Sequence, residues 1–448
     1  ESALNKADAN SSAFFLGDNI YPKGLPEKGE KGYAFAKHQL DVQIDAVKNF
    51  KGKTIFIPGN HDWYSDGLKG LERQEDYIDD VLGKNSFLPE NGCPIENETI
   101  TDNIELIYVD AKWYMANWDK HPTINDKCDI KTRDAFLDEF ESRIKKARGK
   151  TTIVAMHHPI FTNGPHGGQY SFMDHMKPFP VLGTLKNILR KTTGVSPEDI
   201  QNKRYNDFRK RIITLAQENE HVIFVSGHDH NLQYLVQDNL VQIISGSGSK
   251  STATRNVGSG LFSSSEPGFT RLDVFKDGSS QVRFIAAKKE TILFSKEVFP
   301  KQKQASRNYP ENVPQTVLAS IYTDKETQKS NFYNFLWGNR YAQDFSMEIE
   351  AKTVMLDTLY GGLKPIRKGG GTQSNSLRLA DSTGREYVMR GLRKNALNYI
   401  QAFAFKDQFV EGQFDDTVAE ELIFHVFTGS HPYAPFVTAT LSDAVGVL

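Results

Sequence analysis

The chain has 448 residues, of which 38% are hydrophobic and 25% charged, and its formal net charge is −2 at pH 7. This length allows two or three domains with sizeable cores, and the near-neutral charge excludes a broad electrostatic surface for nucleic acid, so no nucleic-acid partner is expected. No apolar stretch approaches the roughly 18 residues of a membrane-spanning helix, and we therefore expect no transmembrane helix.

The cysteines and the first residues bear on the cellular compartment. Cys93 and Cys128 bracket an irregular stretch, and they either close one disulfide in an oxidising compartment or stay as two buried thiols. The first residues show neither the basic nor the apolar region of a signal peptide, and the chain starts without methionine. We expect a piece of a longer protein that is exported to the periplasm, the cell surface or the medium.

Apolar, β-rich runs alternate with helical patterns over residues 1–300, which predicts a layered α/β domain. Five runs are predicted strands, each ending in a polar tip: AFFLGD (13–18), TIFIPGNHD (54–62), IELIYVD (104–110), TTIVAMHHP (151–159) and HVIFVSGHDH (221–230). Apolar residues spaced by three and four predict helices over 32–50, 132–150 and 205–220. Residues 232–248 and 269–287 are predicted hairpins, the second turning at 276–278.

The rest of the chain is predicted to form a linker and a second module. Residues 301–344 are polar and contain Pro310 and Pro314, which indicates a linker or a loosely packed extension. Residues 345–448 are predicted as a smaller α+β module of unknown function, which we expect to be truncated, with strands over 376–381 and 385–392 and a helix over 419–427. Its glycine-rich loop 369–373, with basic residues on the following strand, also suits a nucleotide-binding kinase-like fold. The loop lacks the GxGxxG spacing, however, and a hairpin with a glycine tip is favoured.

Polar residues cluster at the ends of the predicted strands. Seven of the twelve histidines lie between His157 and His230, and strand ends on one edge of an α/β sheet converge in space. Oxygen and imidazole ligands without cysteine suit zinc, manganese or iron. The motifs are GDNIY (17–21), GNHD (59–62), MHHP (156–159) and GHDH (227–230), and the side chains expected in one crevice are Asp18, Tyr21, Asn60, His61, His157, His228 and His230.

These four motifs in this order resemble the calcineurin-like metallophosphoesterases. Tyr21, three residues after Asp18, adds a resemblance to the purple acid phosphatases, and GHDHNLQYL followed by SGSGS is similar to the tartrate-resistant type. The resemblance covers about residues 13–260. It implies an α/β fold, a four-layer αββα sandwich, in which a strand upstream of this chain would supply a further aspartate ligand. We therefore expect that strand to be missing here.

The resemblance also implies a two-metal centre. Asp18 would bridge both ions, and Tyr21 and His230 would complete a site for Fe(III). The second, divalent ion (iron, zinc or manganese) would be held by the remaining ligands, Asn60, His157 and His228.

Three further residues match the family's substrate-side groups. His61 would contact the phosphate and assist the leaving group, and Asp62 would orient His61 as a histidine–carboxylate pair. His166 would be a second substrate-side histidine. His158 is expected to pack or to support a ligand rather than to bind metal itself.

The implied function is hydrolysis of phosphate monoesters by in-line attack of a metal-bound hydroxide, as in an acid phosphatase. The substrate would be a phosphorylated small molecule or a phosphoprotein. Two alternatives stay open: a phosphodiesterase or nucleotide hydrolase of the same fold, and a non-catalytic scaffold that is part of a larger surface-anchored protein.

Overall fold

The computed structural model describes residues 2–120, 123–301, 313–368, 374–394, 399–401, 405–408 and 429–446. The chain divides into two units, Glu1–Lys303 and Gln304–Leu448. In the part described, no helix is both long and apolar enough to cross a bilayer.

The strands of the first unit form three sheets. They are β1 Ser12–Phe15, β2 Lys53–Phe56, β3 Ile95–Thr101, β4 Ile104–Val109, β5 Thr151–Met156, β6 Val222–Ser226, β7 Leu232–Gln237, β8 Leu240–Ser245, β9 Gly260–Ser264, β10 Gly268–Val274, β11 Ser280–Ala286 and β12 Ile292–Phe299. The largest sheet has the order β3-β4-β5-β6-β8-β7-β9, with β4, β5, β6 and β8 parallel. Strands β1 and β2 form a parallel pair, and β10-β11-β12 an antiparallel sheet.

Several helices of the first unit pack against the large sheet and the β1–β2 pair. The helices described in this unit are α1 Ser2–Asn5, α2 Tyr33–Val47, α3 Leu68–Leu82, α4 Ala111–Met115, α5 Arg133–Lys146, α6 Phe172–Met176, α7 Pro180–Thr193 and α8 Lys203–Ala216. The structure confirms the predicted strand tips, the three predicted helices and both hairpins. Their observed ends lie within a few residues of the predicted ones.

Alternation along the strands separates the two sides of the large sheet. In β5, Ile153 and Ala155 pack towards β1, β2 and β10, while Val154 and Met156 pack with the helices. Since successive side chains of a strand point to opposite faces, this pattern is what a sheet between a helix layer and a second sheet requires. The predicted layered α/β class is confirmed.

Two features connect separate segments of the first unit outside the strands. Cys93 and Cys128 form a disulfide that closes a loop with a sequence separation of 35. On α3, both carboxylate oxygens of Glu75 accept the backbone N–H of Asn91, at 3.0 and 2.8 Å. Burial raises the pKa of Glu75 to about 8.

The second unit contains β13 Thr316–Ala319, β14 Ile349–Lys352, β15 Lys364–Lys368, β16 Ser374–Ala380 and β17 Glu386–Lys394, with helices α9 Asp324–Thr327, α10 Asn331–Trp337, α11 Ala342–Ser346 and α12 Ala434–Ala444. Strand β13, from the stretch predicted as a linker, pairs with β14. The domain boundaries at 300 and 345 stay predictions. Loop 369–373 and the predicted helix over 419–427 lie outside the described residues.

Candidate metal centre

The four motifs lie at the carboxyl ends of β1, β2, β5 and β6. Asp18 and His228 adopt left-handed backbone conformations, with φ of 56° and 64°, which non-glycine residues rarely adopt. The turns also approach closely, because a Cβ on Gly59 would lie 2.2 Å from the Asp18 nitrogen. A side chain at position 59 would therefore push the two strand ends apart.

Three predicted ligands converge on one position. Asp18 Oδ2 lies 3.3 Å from His157 Nε2, which lies 3.1 Å from His228 Nδ1. The other ring nitrogens donate to backbone carbonyls, His157 Nδ1 to Leu16 at 2.7 Å and His228 Nε2 to Glu198 at 2.8 Å. These bonds fix both rings with the inward nitrogen unprotonated in the neutral form, as a metal ligand requires.

Asn60 supplies an independent test of whether a cation fits. Its Nδ2 donates to the Tyr64 hydroxyl at 3.0 Å, whereas its Oδ1 is buried and has no hydrogen-bond partner among the described residues. A buried acceptor without a partner costs about 1–3 kcal/mol. A cation beside Asn60 would remove that cost.

A second group of donors converges on the same oxygen of Asp18. The Tyr21 hydroxyl lies 2.9 Å from Asp18 Oδ2 and 2.8 Å from His230 Nε2. Burial raises the pKa of Asp18, but the nearby His157 and His61 outweigh this effect and hold the pKa well below its usual range. Burial and the nearby Lys250 ammonium lower the pKa of His230 to about 4, which keeps its imidazole neutral. Asp18, His157 and His228 thus fit a cation, and Tyr21 and His230 add two further donors beside Asp18 Oδ2.

His61 lies beside this centre and is 28% exposed. Its Nε2 is 4.0 Å from Asp18 Oδ2 and its backbone N–H donates to Asp18 Oδ1 at 2.8 Å. Its Nδ1 donates to the Pro22 carbonyl at 2.6 Å. The structure therefore differs from the predicted His61–Asp62 pair, because a backbone carbonyl and not the carboxylate orients the ring.

Asp62 instead connects the first two strand ends. Its carboxylate is fully buried and accepts five N–H groups: the backbone N–H of Asn19, Ile20 and Gly59 and the side-chain amides of Asn19 and Gln74. Burial, with the charge of Asp18, raises the pKa of Asp62 to about 7. All five contacts are donors, which favour the carboxylate form and oppose the effect of burial.

His166 closes another side of the centre. Its ring lies 3.9 Å from the ring of His228, and its Nδ1 lies 2.9 Å from Asp199 Oδ1. Arg190 binds the same fully buried carboxylate through two nitrogens, at 2.8 and 2.6 Å. Although burial lowers the pKa of His166, the bond to Asp199 outweighs it and the pKa is raised.

The structure also places residues at the centre that the sequence analysis missed. Glu198 accepts from Tyr64 at 3.1 Å, lies 3.0 Å from His158 Nε2 and forms an ion pair with Lys112. Burial lowers the pKa of His158 to about 4. Glu198 therefore supports Asn60 through Tyr64 and His228 through its own backbone carbonyl. His158, Glu198 and His228 also form a group that could hold a metal ion, so the supporting role expected for His158 stays a prediction.

Lys250 lies at the mouth of the centre. It is exposed, its Nζ is 3.6 Å from the centroid of the Tyr21 ring, and it has no acidic partner among the described residues. No motif in the sequence distinguishes it from other surface lysines. Its charge adds an attraction for anions beside the predicted ferric position.

Comparisons with known proteins were made for the sequence and the fold. Residues 2–232, which are 231 of the 448, match the model of the calcineurin-like phosphoesterase family. No curated protein matches the sequence significantly. The fold is similar to that of GAP50, the anchor in the inner membrane complex of Plasmodium, with 16% identity over 66% of this chain and 80% of that one and a TM-score of 0.39.

Two further solved structures are similar. The purple acid phosphatase PPD1 from seeds of yellow lupin (Lupinus luteus) has 12% identity over 66% of this chain and 47% of that one, with a TM-score of 0.39. PhoD has 10% identity over 68% of this chain and 69% of that one, with a TM-score of 0.41.

Proposed function

This chain belongs to the calcineurin-like phosphoesterase family, and from that premise we propose that it hydrolyses phosphate monoesters at a two-metal centre. The observation that carries the proposal is that two groups of donors meet at Asp18 Oδ2, one of His157 and His228 and the other of Tyr21 and His230. The unpartnered Oδ1 of Asn60 supports it independently.

The chain's own residues have separate roles in this proposal. Asp18, Tyr21 and His230 would hold an Fe(III) ion. Asn60, His157 and His228 would hold the divalent ion, and Asp18 would be a ligand of both ions. When bound, the cations neutralise charge on the phosphoryl group and lower the pKa of an attacking water.

The remaining residues act on the substrate or on the ligands. His61, partly exposed and with Nδ1 bound to the Pro22 carbonyl, would give a proton from Nε2 to the leaving oxygen. His166, held by Asp199, would bind a phosphoryl oxygen. Asp62 keeps the strand ends together and is a positioning residue rather than the partner of His61.

The test compares phosphate release from a monoester, a diester and a nucleotide by the metal-loaded chain. We expect monoester hydrolysis, its loss in His228→Ala with metal content reduced, and a roughly 10²–10⁴-fold lower turnover in His61→Ala with metal content unchanged. Preference for the diester would favour the alternative specificity, and no release from any substrate by fully loaded protein would favour a scaffold.

The metal assignment has its own test. A tyrosine phenolate bound to Fe(III) absorbs visible light, so iron-loaded protein should be coloured and Tyr21→Phe should be colourless at equal iron content. A colourless wild-type protein with a full complement of iron would exclude Tyr21 as a ligand.

The disulfide between Cys93 and Cys128 supports an exported location, since disulfides persist in oxidising compartments.

A further inference from the structure

Helix α7 has its polar side inward and its apolar side outward. Gly183 and Asn187 are buried, and Arg190 reaches inward to bind Asp199. The apolar residues Val181, Leu182, Leu185, Ile188 and Leu189 are between 47% and 79% exposed. A surface helix of a globular protein normally presents the opposite arrangement, with its apolar face towards the core.

The exposed apolar residues form one continuous stripe. At 3.6 residues per turn, the five positions fall within an arc of about 120° on one side of the helix. Phe172 on α6 and Phe179 before α7 are 70% and 66% exposed and extend the apolar surface beyond the start of the helix. We call α6, α7 and the residues between them the apolar hairpin (residues 172–193).

Basic residues border the stripe. Lys186 and Lys191 are exposed and lie on opposite sides of it in the helical projection, and Lys177 is exposed between the two helices. The only acidic side chain of the hairpin, Asp174, is engaged by Ser171. The hairpin is therefore locally cationic on a chain whose formal net charge is −2.

We propose that the apolar hairpin binds the surface of an anionic lipid bilayer, with the stripe in the acyl boundary and the lysines among the headgroups. Aliphatic and aromatic residues on one side, with lysines flanking them, form the pattern of a helix that lies in the membrane interface. The charge disfavours a second copy of the chain, because a symmetric dimer would place the lysines of one hairpin against those of the other. The proposal does not depend on catalysis and goes beyond the proposed function.

The test is sedimentation of the full 448-residue chain with vesicles of phosphatidylcholine, alone or mixed with phosphatidylglycerol. We expect binding that is stronger to the mixed vesicles and weakens as salt is added. The double variant Leu185→Gln/Leu189→Gln should partition at least about tenfold more weakly into both, because two leucines no longer enter the apolar phase. A matched control, Leu261→Gln/Ile292→Gln, changes two exposed apolar residues on β9 and β12 and should bind as the wild type does.

Charge is tested separately with Lys186→Glu/Lys191→Glu, against Lys288→Glu/Lys289→Glu on the turn after β11. Only the first pair should remove the preference for phosphatidylglycerol. Wild-type protein that stays in the supernatant with both vesicle types would overturn the proposal, as would equal binding by the leucine variant. Sedimentation equilibrium provides the remaining check: a dimer that the leucine variant dissociates would mean that a second copy, and not lipid, covers the stripe.

Discussion

Replacing Asp62 by asparagine separates the two roles considered for this residue. The amide would present an NH₂ group where the carboxylate presents an acceptor. If the NH₂ replaces Oδ2, the backbone N–H of Gly59 and the side-chain amide of Asn19 lose their acceptor. If it replaces Oδ1, the N–H groups of Ile20 and Gln74 lose theirs.

Two buried donors are thus left without a partner in either orientation. At about 1–3 kcal/mol for each, Asp62→Asn should lower the free energy of unfolding by about 2–6 kcal/mol. Because all of these donors except Gln74 belong to the turns that carry Asp18 and Asn60, metal stoichiometry should fall in the same variant. An orienting role on His61 would predict a different result, in which turnover is lost while stability and metal content are kept.

The first assay is urea unfolding of the metal-free protein, monitored by tryptophan fluorescence. The second is elemental analysis of the metal-loaded protein. His61→Ala is the matched control, because its partly exposed ring should contribute within roughly 0.5 kcal/mol to stability. The reasoning would be refuted if Asp62→Asn unfolded at the wild-type urea concentration and bound metal normally, yet lost turnover to the same extent as His61→Ala.

Three other changes have defined outcomes. Lys250→Ala should raise KM for a phosphate monoester by about tenfold with little change in kcat. The reason is that a lost contact of ~1.4 kcal/mol to a charged group weakens the binding of substrate and transition state alike. Steady-state kinetics test this, and a fall in kcat alone would contradict it. The folded-state pKa of Glu75 is raised from 4.5 to about 8, so its stabilising contribution is complete below pH 4.5 and is lost as the pH rises to 8. Glu75→Gln should therefore be more stable than wild type by up to about 5 kcal/mol above pH 8 and similar at pH 4.5 in urea unfolding. Replacing Cys93 and Cys128 by serine should cost about 3–4 kcal/mol, given the 35-residue separation, and wild-type protein under reducing conditions should show the same loss.

The sequence predicted the convergence of the ligands because each one follows directly from a strand. Apolar runs identify the strands, and the carboxyl ends of parallel strands meet on one edge, so Asp18, His157 and His228 could be placed together without coordinates. The layered α/β class followed from the same alternation of runs.

Contacts between distant segments could not be predicted in this way. Lys112 and Glu198 meet across 86 positions, and neither lies in a motif that sequence spacing could identify. The sequence neighbours His61 and Asp62 were predicted to act together, but a 3₁₀ turn begins at Asp62 and directs consecutive side chains to different sides. For α7, the periodicity of a helix is the same whichever side is buried, so only the structure shows that its leucines face outward.

Neighbouring residues of helix α7 lie in two environments, the exposed surface and the buried side that faces the centre. Leu189, on the outer stripe, is followed immediately by Arg190, which reaches inward to Asp199, the carboxylate that holds His166. Two polar contacts, from Arg190 to Asp199 and from Asp199 to His166, therefore link this surface helix to a histidine of the centre. A rotation or shift of this one helix would change the distance between a guanidinium and a carboxylate, and with it the proton affinity of an imidazole. The position of this surface helix therefore affects the electrostatics of the centre.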